Sequence, residues 1–154
     1  MSNVLIVLSP TTDAPAAVAY ALRRAKELRG ELVGLVTLRP DAAQRIATTL
    51  ADKAFIGEKV SEDVIDALER EQHTQAESCL GRIAIQAHHE GIPFTPLIEA
   101  GEPSEVCGRV AAAHDVQLAV LVAEKRSWLT RLLSPSSAVK LPALFGCEVK
   151  VMDD

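Results

Sequence analysis

Five short, nearly continuous apolar runs punctuate the chain: "NVLIVLS" from Asn3, "ELVGLVTL" from Glu31, "PFTPLIEA" from Pro93, "VQLAVLVA" from Val116 and "CEVKVMD" from Cys147. A strand covered on both faces has no reason to alternate polar and apolar positions, so such runs predict parallel strands inside a layered sheet. Between the runs the apolar period lengthens to that of a helix. "TTDAPAAVAYALRRAKELRG" sets Val18, Leu22, Ala25 and Leu28 on one stripe, with Thr12 or Asp13 as N-cap, Pro15 in the first turn and Gly30 past the end. A longer helix is expected from Ser61 to about Glu90. Its acids Glu62, Asp63 and Asp66 suit an N-terminus, His88 and His89 suit a C-terminus, and Ile65, Leu68, Ala76, Leu80, Ile83 and Ala87 form the buried stripe. Gly91 and Pro93 stop it. "EPSEVCGRVAAAHD" and "SSAVKLPALF" are the remaining helices. Between Arg39 and Val60 the pattern is weak; "DAAQRIATTLADKA" has the composition of a short helix and "FIGEKV" reads as loop.

The resulting order, β-α-β-(α)-α-β-α-β-α-β, is that of a single α/β domain spanning residues 1–154, with helices crossing between parallel strands. A chain of 154 residues is long enough to bury a sizeable core. With 48% hydrophobic residues but only three Phe, one Trp and one Tyr, that core is built from Val, Leu, Ile and Ala. Sixteen basic against 21 acidic residues give a net charge of −5, which argues against broad binding to a phosphate backbone, and the scarce aromatics leave little to stack on bases. No nucleic-acid partner is expected. The first apolar run is too short for a signal peptide or a membrane span, so the expected location is cytoplasmic, with no membrane partner.

Candidate chemistry is thin. Cys79, Cys107 and Cys147 form no C-x-x-C pair and read as small buried residues, with no histidine near Cys107 in sequence to activate it. The acids of "SEDVIDALEREQ" alternate with Val64, Ile65 and Leu68 as a solvated helix face does, and His73 and His114 have no partner at ligand spacing; no metal site follows. Ser9, Thr11 and Thr12 stand at the C-terminal end of a parallel strand, where such folds bind ligands, although helix capping alone would account for Thr12 and Asp13. From Lys125 to Lys140 the chain carries four cations and no acid. Within that stretch Trp128, Leu129, Leu132 and Leu133 would form one apolar patch on a helical turn, either a partner surface or a lid on the core.

"AGEPSEVCGRVAAAHDVQLAVLVA" resembles the stretch of universal stress proteins in which a strand ends in G-x-P, here Gly101 and Pro103, a helix follows, and a strand leads into the nucleotide loop. The first strand-helix-strand unit and "GCEVKVM" are similar to that family's opening unit and final strand. The resemblance covers nearly the whole chain except Arg39 to Val60. With the crossovers, it implies an open five-stranded parallel sheet in the order 3-2-1-4-5, helices on both faces, of the adenine-nucleotide alpha-hydrolase-like kind.

In the family's nucleotide-binding members, phosphate is held by G-x-x-G-x9-G-[ST] after the fourth strand, because backbone N–H groups approach phosphate closely only where no Cβ intervenes. Counting from the strand end, this sequence has Ala123, Arg126, Ser136 and Ser137 at those places; a register one residue shorter ends on Pro135 and Ser136. Neither contains a glycine. The Asp that usually ends the first strand is Ser9 here. The resemblance therefore implies a branch without bound ATP and without a cofactor, not an enzyme, that regulates by dimerisation or association with a protein partner. The alternative is a nucleotide- or anion-binding switch, or an ATP-hydrolysing enzyme, using the crevice near Ser9 and Arg126, with Lys125, Ser136 and Ser137 as further contacts. Gly101 would line the same crevice. A two-fold homodimer is expected by pairing Cys147–Met152 with its copy, through Cys147, Val149 and Val151, with Glu148 and Lys150 facing each other across the axis.

Overall fold

Strand β1 (Asn3–Leu8) is buried from Val4 to Leu8, which is possible only for a strand with neighbours on both sides and layers above and below. In the computed structural model, which describes residues 2–38, 58–122 and 141–152, those neighbours are β2 (Leu32–Leu38) and β4 (Val116–Val122). Strands β3 (Phe94–Ala100) and β5 (Glu148–Met152) close the two edges, so the sheet runs β3-β2-β1-β4-β5, all parallel. The order and direction expected from the sequence are those found.

One face is covered by α1 (Pro15–Leu28) and α2 (Glu58–His89), and the other by α3 (Pro103–Ala113) and α4 (Leu141–Phe145). Alternate residues of each strand feed two separate cores. Val4, Ile6 and Leu8 pack with Ala17, Ala21 and Leu80, whereas Leu5 and Val7 pack with Val106, Cys107 and Phe145. Buried alanines on α1, Ala17, Ala21 and Ala25, let the helix lie close to the sheet.

Several local expectations are corrected. Helix α1 is capped by Ala14 without a side-chain bond, because the Thr12 hydroxyl is engaged by Ser9. At its other end Gly30 stands past the last turn as expected, but the left-handed residue is Arg29, φ 55°, whose N–H reaches the Lys26 carbonyl while that of Gly30 reaches the carbonyl of Ala25. Gly30 is needed for a different reason: a Cβ there would lie 1.8 Å from the Ser2 carbonyl oxygen. Helix α2 starts at Glu58, so Glu58–Val60 are helical rather than loop, and from Glu62 onward its first fully buried position is Ala76; Ile65 and Leu68 are half-buried. Thirty-two residues make a helix about 48 Å long, roughly twice the ~23 Å of a seven-residue strand, so much of α2 has no sheet beneath it. The end at Gly91, φ 70°, is as expected, with Ile92 N–H closing on the Ala87 carbonyl. The short helix expected before Phe55 lies outside the described residues.

Candidate functional site

In an open parallel sheet the crevice for ligands forms beyond the C-terminal strand ends, where successive connections leave in opposite directions. Here that point lies between β1 and β4, since β1 leads to β2 on one side while β4 leads to β5 on the other. The described part of the site is the turn from β1 into α1. Ser9 N–H donates to Thr12 Oγ1 at 3.0 Å, the Ser9 and Thr12 hydroxyls are bonded to each other, and Thr12 N–H returns to the Ser9 carbonyl at 3.1 Å. Thr12 is 5% exposed, Ser9 half-buried and Thr11 exposed. The turn is thus a closed hydroxyl pair that places Ser9 at the strand end and Thr11 at the surface.

Gly101 follows β3, two strands away from β1. Its φ of 145° is one that residues with side chains rarely adopt, and its N–H bonds the Leu38 carbonyl at the end of β2. A Cβ there would meet Val106 Cγ2 at 3.3 Å, and the buried Pro103 starts α3 one residue after the Glu102 cap. The G-x-P pair therefore sets the sharp exit from β3 at the C-terminal edge of the sheet. Ser9, Thr11 and Gly101 share that edge. Ala123, Arg126, Ser136 and Ser137, with Lys125 and the Trp128 patch, lie outside the described residues.

Sequence reasoning missed what lies behind the turn. A small cavity of about 130 Å³ between the start of α1 and α2 is lined by Thr12, Asp13, Cys79, Arg82 and Gln86 among others. The Cys79 thiol lies 4.0 Å from the Thr12 carbonyl oxygen. Burial pushes that thiol up; the Arg82 guanidinium opposes the shift, and the Asp13 carboxylate adds to it. Sixty-seven residues separate Cys79 from Thr12, and no local pattern signals the contact.

The cysteines are poor nucleophiles. Burial in the α3 core pushes Cys107 from 9.0 up to about 12, and burial also raises Cys147, against a backbone hydrogen bond from Ala119. Below pH 9 the Cys107 thiol is neutral in folded and unfolded chains alike, and it costs nothing. Above pH 9 only the unfolded chain ionises, so stability falls by about 1.4 kcal/mol per pH unit until the folded thiol itself titrates near 12. Urea unfolding at a series of pH values above 9 will show this decline, and Cys107→Ala will remove the share that Cys107 contributes, leaving that of the other raised thiols, even if it lowers stability at neutral pH.

No group of three or more His, Cys, Asp or Glu side chains placed to hold a metal ion occurs among the described residues, and His73 and His114 pair instead with Glu77 and Glu31. Nor, among those residues, is any helix long and apolar enough to cross a membrane.

Comparison with known proteins agrees with the architecture. The chain is similar in structure to universal stress protein UspA from Lactobacillus plantarum, at 20% identity and a TM-score of 0.63, covering 98% of this chain and 97% of that one. A universal stress protein family member from Burkholderia pseudomallei gives 17% identity and a TM-score of 0.62, covering 99% and 96%. The universal stress protein from Archaeoglobus fulgidus solved in complex with dAMP gives 13% and 0.62, covering 98% and 97%. At these identities the likeness is one of fold. No curated protein sequence matches the chain. The model of the universal stress protein family matches residues 1–151. With nearly every residue matched and the sheet order in place, the chain belongs to the universal stress protein family.

Proposed function

We propose that this universal stress protein is a small cytoplasmic regulatory protein that works by pairing with a second copy and with a protein partner, and that it neither holds ATP nor catalyses a reaction. The observation that carries this reading is the end of β1. Where the family's nucleotide-binding members usually present an Asp, this chain presents Ser9, bonded into a hydroxyl pair with the buried Thr12. A neutral hydroxyl already engaged at that point offers a ligand less than a carboxylate would. The glycine-free positions Ala123, Arg126, Ser136 and Ser137 argue the same way. Net acidity and the shortage of aromatics favour a protein partner over nucleic acid or a membrane.

The edges of the sheet support pairing through β5. Edge strand β3 has the exposed Pro96 as its third residue and cannot extend an unbroken ladder, whereas β5 contains no proline. Cys147, Val149 and Val151 pack on the α3 core and fix how β5 presents its backbone, so two copies side by side would form one ten-stranded sheet. Light scattering of the wild-type chain at micromolar concentration should give a dimer. Proline placed at Val149 and at Lys150 in turn will remove, in one of the two variants, an N–H that points away from β4. That variant should become monomeric with its far-ultraviolet dichroism unchanged. A wild-type monomer, or a dimer untouched by both substitutions, would end the reading.

A second reading rests on the solved relative that holds dAMP: a nucleotide or other anion in the crevice near Ser9, with Arg126, Ser136 and Ser137 as contacts, and Gly101, two strands from β1, too far along the edge to join them. Protein purified without added nucleotide and then heat-denatured separates the two readings. A nucleotide absorbance band in the supernatant supports the second, and a blank supports the first.

A further inference from the structure

Among the described residues one large hydrophobic side chain is exposed, Ile85 of α2, at 62%. It does not stand alone. Glu77, Gly81, Ala84, Ile85 and His88 follow one another at the spacing of a single helical stripe, and all but the half-buried Ala84 are exposed. A glycine inside a helix costs about 1 kcal/mol relative to alanine, and at Gly81 a Cβ would meet nothing within 4 Å. The space above Gly81 is therefore unused by the described chain. Beside it an apolar groove of about 360 Å³ opens between the helix and β3, floored by Leu80, Ala84, Pro96 and Ile98.

From this stripe we infer that α2 carries a second self-association surface, whose occupant is another copy of this chain. The stripe is complementary to itself when reversed. Glu77, a carboxylate that meets His73 of its own helix at 2.9 Å through Oε1 and has a second oxygen to accept with, stands at its N-terminal end, and His88, a ring N–H donor, at its C-terminal end. Two parallel copies would oppose like groups, whereas two antiparallel copies related by a two-fold axis at the level of Arg82 and Ile83 set Glu77 of each against His88 of the other. The same axis brings Ile85 of one copy over Gly81 of the other, where the missing side chain leaves room. Pro96 keeps this edge from pairing backbone to backbone, so contact here is made by side chains. The surface lies at the opposite edge of the sheet from β5 and does not depend on β5 pairing.

Sedimentation velocity on the full chain, over a concentration series from micromolar to millimolar, tests it in two backgrounds: wild type, and the proline variant in which β5 pairing is blocked. The expected result is self-association in both, weakened at least tenfold by Ile85→Lys, which leaves the fold intact because the side chain is already in water. Glu77→Lys and His88→Glu should each weaken association, and the two together should restore it. Identical association of Ile85→Lys and the parent chain in both backgrounds, a parent that stays monomeric throughout the blocked series, or a charge swap that restores nothing would each overturn the inference.

Discussion

Leu5→Ala will cost about 3 kcal/mol and Ile6→Ala about as much again, so that a chain carrying both gives up a large share of its stability. Both side chains are fully buried in the central strand, so each truncation removes apolar burial and leaves a cavity whose walls relax only in part. They point to opposite faces, however. Leu5 packs in the α3 core and Ile6 in the core shared by α1 and α2, with no cluster in common. Their effects should therefore add to within about 0.5 kcal/mol, giving a loss near 6 kcal/mol against a total that for such domains is about 5–15 kcal/mol. Urea unfolding of the two single variants and the pair measures this. A pair no worse than either single would mean that the two sites are strongly coupled through the strand rather than independent.

Gly34→Val is expected to be as damaging by the opposite mechanism. Gly34 lies in β2, opposite Ile6 on one side and Pro96 on the other. A Cβ there would fall 2.7 Å from two ring carbons of Phe94 and 3.0 Å from Leu80 Cδ2. Alanine forces the half-buried Phe94 ring aside at a cost of about 1–2 kcal/mol; valine, with two further methyls directed at Leu80, should cost about 3 kcal/mol or more. Gly34→Ala combined with Phe94→Leu should recover much of the loss of Gly34→Ala alone, because the smaller side chain vacates the space the new methyl needs. A double-mutant cycle with no coupling would show that the strain lies in the backbone and not in the ring.

The strands were legible because burial on both faces writes itself as an unbroken apolar run: "VLIVL" in β1 has no second interpretation in a chain with helices between such runs. Edge strand β5 was legible too, through Val149 and Val151. What escaped depends on contacts that periodicity does not encode. Gly30 looks like a helix terminator but is small because the Ser2 carbonyl crosses it, and Arg29 takes the left-handed turn instead. Thr12 looks like a cap until Ser9 claims its hydroxyl. The stripe of α2 reads the same from Ile65 to Ala87, yet periodicity carries no information about where the sheet beneath ends, and only the part from Ala76 is fully buried. Of the site, the G-x-P corner at Gly101 and the hydroxyls at Ser9 and Thr11 could be placed from the sequence, whereas the Cys79 and Arg82 wall behind Thr12 could not.

The proposal that this universal stress protein does not bind ATP is tested most directly by calorimetric titration with ATP and magnesium. Losing several charge-assisted hydrogen bonds, at roughly 1.5 to 3 kcal/mol each, moves a micromolar site beyond millimolar. The account therefore predicts no saturable heat up to millimolar ATP and no hydrolysis above buffer. Saturable micromolar binding that disappears in Arg126→Ala would contradict it, and would show that side chains have taken over the work of the missing glycines.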